Sequence, residues 1–74
     1  MKTEYEHVRF VFVSSERWSC FCKVSGRLYG CVLVFEEMKE ILFAPESEWF
    51  DQGMLRDISD FLDALNAEKQ GETE

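Results

Sequence analysis

The sequence predicts an α+β fold: a four-stranded antiparallel β-meander followed by one C-terminal amphipathic α-helix packed on one sheet face. Three observations carry this. Residues 7–44 form runs of β-branched and aromatic residues broken by short polar turns. Met54, Leu55, Ile58, Phe61, Leu62 and Leu65 recur at i, i+3, i+4 and i+7 spacing, which at ~100° per residue gathers them on one helical stripe. The chain of 74 residues is 46% hydrophobic, with seven Phe, two Trp and two Tyr, which is too apolar for a disordered segment despite a net charge of −7.

A first strand is expected over residues 7–13 (HVRFVFV), ended by Ser14-Ser15-Glu16. A second runs over 17–24, and Ser25-Gly26 turns it, because glycine tolerates the positive φ of a tight hairpin. The third covers 28–35. Residues 36–39 turn the chain again, and a fourth strand over 40–44 stops at Pro45, which has no amide proton to give a ladder. The helix starts at Asp51, whose carboxylate suits an N-cap, with Phe50 placed to staple onto Leu55; residues 66–71 close it. Gly53 in its first turn costs ~1 kcal/mol relative to Ala. Residues 1–74 make one domain, with the ordered core over about residues 7–69 and flexible tails at both ends.

One helix covers one sheet face, so the other face is the question. Pairing across Ser14-Ser15-Glu16 as a three-residue turn sets Val8, Phe10 and Phe12 beside Trp18, Cys20, Cys22 and Val24, and this register hides the most apolar area. The opposite face then holds Arg9, Val11, Val13, Arg17, Ser19, Phe21 and Lys23. The third strand is apolar on both sides, with Leu28, Val32 and Val34 on one and Tyr29, Cys31, Leu33 and Phe35 on the other. Val11, Val13, Phe21, Leu33 and Phe35 are therefore the expected contact residues of a homodimer or a docked partner, since monomers rarely leave large apolar patches uncovered.

Cys20, Cys22 and Cys31 with His7 raise a zinc site or a thiol sensor. The register that would collect all four pulls Phe10 and Phe12 away from Trp18, and paired Cys-x₂-Cys knuckles are missing. No cofactor or metal is expected, and the cysteines are read as small core residues. His7 is the one histidine, and the glycines at 26, 30, 53 and 71 form no phosphate loop, so no enzyme is expected. Residues 1–7 carry no apolar stretch, and the longest apolar run, residues 31–35, is far short of the ~20 residues of a membrane helix. Three cysteines suit a reducing compartment, so a cytoplasmic location is expected.

Charge divides along the chain. Residues 1–35 carry five Lys/Arg against three Asp/Glu, and residues 36–74 carry three against twelve. Asp57, Asp60 and Asp63 sit three apart on the helix, and with Glu36, Glu37 and Glu40 they define an expected acidic face for a basic protein partner. Small size, absent catalytic chemistry and this split match a phage- or mobile-element-encoded inhibitor of nucleic-acid-binding host machinery, of the anti-CRISPR kind. The alternatives are a cytoplasmic adaptor or chaperone-like module for a basic client, an RNA-binding sheet face using Phe21 and Tyr29, and the thiol or zinc sensor. Net charge makes nucleic acid the least favoured partner.

Overall fold

The computed structural model describes residues 2–72. Its elements are β1 (Val8–Ser14), β2 (Arg17–Cys22), β3 (Leu28–Phe35), β4 (Glu40–Pro45) and α1 (Gln52–Glu72). The strands form one antiparallel sheet in the order β1-β2-β3-β4, and α1 packs across one face against β1 and β4.

The first hairpin takes the register that burial favours, with Val8 opposite Cys22, Phe10 opposite Cys20 and Phe12 opposite Trp18. It closes differently from the expected three-residue turn. Ser14 pairs with Arg17, leaving Ser15-Glu16 as the turn, and the spare residue is taken up at Val13 by an irregularity between Phe12 and Ser14.

The second hairpin departs further. Ser19 lies opposite Cys31 and Cys20 opposite Gly30, but an irregularity then brings Leu28 opposite Phe21. Leu28 therefore joins Phe21 on the open face, and Tyr29 turns to the helix side, where its ring sits 5.8 Å from that of Phe50. Both residues were expected on the other face. Period-2 alternation cannot register an extra residue, and a bulge reverses every side chain beyond it. β2 also ends at Cys22, not at residue 24: Val24 lies in the turn, 94% exposed, and Gly26 supplies a φ of 76°. In the last hairpin Lys39 takes a φ of 55° and donates its N–H to the carbonyl of Glu36.

The lead-in is not loose over its described residues. The Phe10 N–H donates to the Thr3 carbonyl, Glu4 bridges Arg9, and Tyr5 is buried in the core. This arm covers the outer edge of β1, whose unpaired amides would otherwise invite another strand.

The helix begins as its cap predicts: the Met54 N–H donates to Asp51 Oδ1 at 2.8 Å. Phe50 does not staple onto Leu55, which is 54% exposed; its ring packs on Tyr29 and Phe43. At the centre Phe61, fully buried, stacks on Phe10 at 3.9 Å and meets Trp18 and Tyr5 edge-on. Burying a ring of this kind contributes ~1.5–3 kcal/mol, and each aromatic pair adds ~0.5–1.5 kcal/mol. Met54, Ile58 and Leu65 complete the buried stripe. The helix continues to Glu72, past its expected close, and the expected tail at residues 73 and 74 lies outside the described residues.

Candidate interaction surfaces

Among the expected acidic residues, Asp57 is misplaced by helical spacing alone. It is 8% exposed and lies beneath the helix, where Oδ2 accepts the His7 backbone N–H at 2.8 Å and sits 3.2 Å from His7 Nδ1. It is a structural carboxylate and drops out of the partner-binding set. Gly53, one turn before Asp57 on α1, packs against the same imidazole: a Cβ there would come within 2.6 Å of it. With Gly53 and Asp57 on His7 and with Phe61 between Phe10 and Trp18, α1 crosses the sheet from the Val8 end toward the Trp18 end.

The remaining acidic residues are exposed. Asp60 and Asp63 lie one turn apart on α1, where Arg56 is the single cation among the described side chains. Glu36, Glu37 and Glu40 are exposed around the β3–β4 turn. Glu36 and Glu37 also line a shallow hollow with Glu16, Val34, Phe35 and the exposed Met38. This hollow lies at the end of the sheet that holds the β1–β2 and β3–β4 turns, so carboxylates from both turns gather there. Asp60 also acts inward: with burial as the larger cause, it and Asp57 push the Tyr5 hydroxyl pKa upward.

The open sheet face carries the second expected set. Val11, Phe21, Leu33 and Phe35 all point there, and pairing adds Leu28, Cys31, Leu42 and Ala44. Val11, Leu28, Phe35 and Leu42 are exposed, while Cys31 at the centre is only 8% exposed. Val13 is exposed at the β1 irregularity. Arg9 stands over this face, its guanidinium carbon 5.2 Å from the Phe21 ring centre. With Tyr29 on the helix side, the aromatic pair required for base stacking is not assembled.

The cysteines are free and dispersed by register: Cys20 lies under the helix and Cys31 on the open face. No group of three metal-ligating side chains occurs among the described residues. Cys20 and Cys22 are nonetheless distinct chemically. Burial, reinforced by the negative charge of Asp57, pushes the Cys20 thiol up to about 12. Cys22 is half-buried and lowered to about 6, first by hydrogen bonds from Ser25 and then by one from the Tyr29 hydroxyl. Tyr29 is raised in return, since its proton is held by the thiolate. Nothing in residue spacing announces this pair, because the bulge is what carries Tyr29 to Cys22.

No helix among the described residues is long and apolar enough to cross a membrane. No protein family, curated protein or solved structure matches this chain.

Proposed function

We propose that this protein is a non-enzymatic, acidic interaction module that binds a basic protein surface. The observation that supports the reading is exposed carboxylate on two parts of the fold: Asp60 and Asp63 on α1, and Glu16, Glu36 and Glu37 around one hollow at the turns, with Glu40 exposed next in the chain. Carboxylates fixed on such a scaffold present a field complementary to a groove built for nucleic acid, which favours inhibition of nucleic-acid-binding machinery as the biological role. Inhibitors of the anti-CRISPR kind act on such targets. An adaptor or chaperone for a basic client would use the same surface and differ only in leaving its client active.

The test is affinity capture from cell lysate with the native chain and with Asp60→Lys/Asp63→Lys/Glu37→Lys, whose folding is confirmed by circular dichroism. Captured basic proteins should be lost in the variant and should elute as salt rises above about 0.15 M, where the screening length falls below ~8 Å. Equal capture by both proteins would return these carboxylates to the role of a solvated surface.

A second reading, a thiol sensor, is favoured by one observation. Hydrogen bonds from Ser25 and Tyr29 lower the Cys22 thiol to about 6, which favours the nucleophilic thiolate. Its test is the alkylation profile described below.

A further inference from the structure

We propose that the open sheet face is covered by a second copy of this chain, the two sheets packing face to face about a two-fold axis parallel to the strands and between β2 and β3. The face is bipolar across the strand order. Arg9 and Arg17 occupy β1 and β2, Glu40 sits on β4 with Glu46 just past its end, and the residues between are apolar apart from Ser19. An axis along the strands lays β1 of one copy over β4 of its partner, and β2 over β3. Basic edges then meet acidic edges twice. An axis across the strands would stack the arginine edge on itself and the glutamate edge on itself, which costs energy at both rims. Aligned sheet-on-sheet packing at about −30° is a standard arrangement for two faces of this kind.

Four strands spaced ~4.8 Å apart and about seven residues long present a face of roughly 450 Å² per copy. A dimer buried through this face alone would lie at the small end of specific interfaces, with dissociation in the micromolar range. The helices remain outside, so Asp60 and Asp63 stay accessible, and Glu40 is the one residue shared with the surface of the function proposed above.

The experiment is sedimentation equilibrium from about 1 µM to about 1 mM. The native chain should pass from monomer to dimer. Leu33→Glu should remain monomeric, and because Leu33 is half-buried its folding is checked by circular dichroism. Arg17→Glu and Glu40→Arg replace exposed residues. Each alone should weaken the dimer about tenfold or more, and the two together in one chain should restore it to within about threefold. A native chain monomeric throughout, a dimer that survives Leu33→Glu, or reversals that do not rescue one another would overturn the proposal. Because Glu40 belongs to both surfaces, capture is compared only in Leu33→Glu and Arg17→Glu, where it should persist, and the Asp60, Asp63 and Glu37 lysine variant tests it separately.

Discussion

His7 and Asp57, fifty residues apart, are joined twice: one carboxylate oxygen accepts the His7 backbone N–H at 2.8 Å and lies 3.2 Å from the imidazole Nδ1. The contact ties the start of the sheet to the second turn of the helix. It satisfies an amide that α1 would otherwise cover, and it keeps a carboxylate in the core at no cost in unpaired polar atoms.

Asp57→Ala should therefore destabilise the fold by about 2 kcal/mol, since a covered N–H is left without a partner. Asp57→Asn keeps an oxygen acceptor and should lose less than about 1 kcal/mol. Urea denaturation monitored by far-UV circular dichroism checks the order. Equal losses for the two variants would show that charge, and not the hydrogen bond, is what the site requires.

Gly53 gives a coupled prediction. Alanine there should gain ~1 kcal/mol of helix propensity, but its Cβ displaces the His7 ring from Asp57. Gly53→Ala should thus be near neutral in the native chain and stabilising by about 1 kcal/mol in a His7→Ala background. A double-mutant cycle on thermal or urea unfolding measures the coupling, and additive effects would contradict the packing of ring on glycine.

Gly30 and Gly26 should respond unequally to alanine. At Gly30 a Cβ would collide with the Ala44 carbonyl oxygen and the Phe43 ring, and the backbone atom cannot retreat without opening the β3–β4 ladder. Loss of more than about 2 kcal/mol is expected, enough to unfold much of a chain this small. At Gly26 nothing lies within 4 Å, and only the positive φ opposes substitution, at about 1 kcal/mol. Circular dichroism of the two variants decides the ranking.

Cys22 should alkylate with iodoacetamide at a rate that rises through about pH 6 and levels off above it, while Cys20, pushed up to about 12, stays unreactive in the folded protein. Ser25→Ala and Tyr29→Phe should each move the midpoint up toward the ordinary thiol range. Because the folded-state value is lowered, the contribution of Cys22 to stability is present above the unfolded thiol pKa of ~8.5 and is lost as pH falls through about 6. Mass spectrometry of the alkylated peptides reads both sites, and a midpoint near that of a free thiol would remove the hydrogen bonds from Ser25 and Tyr29 as its cause.

The limits of sequence reading are visible in individual residues. Asp60, Asp63 and Glu37 are found exposed as charge and spacing require, because a solvated carboxylate needs nothing from the rest of the fold. Asp57 has the same residue type and spacing, yet it is buried, because an amide fifty residues away needs an acceptor there. Cys22 and Tyr29 meet only through the extra residue between Cys20 and Phe21 in the β2–β3 register, which no alternation pattern displays.

By itself the sequence determined the four strands and their order, the pairing of Phe10 with Cys20, the Asp51 cap and the helical stripe of Met54, Ile58, Phe61 and Leu65. These follow from interactions over a few residues, namely turn chemistry, side-chain period and capping, and from the large area gained by one register over another. Tertiary structure alone decided the bulge that exchanges Leu28 and Tyr29, the docking of Tyr5, the burial of Asp57 and the close approach at Gly30. Each depends on which atoms from distant segments share one small volume, where a single unmatched hydrogen bond or Cβ outweighs the local preference of the chain.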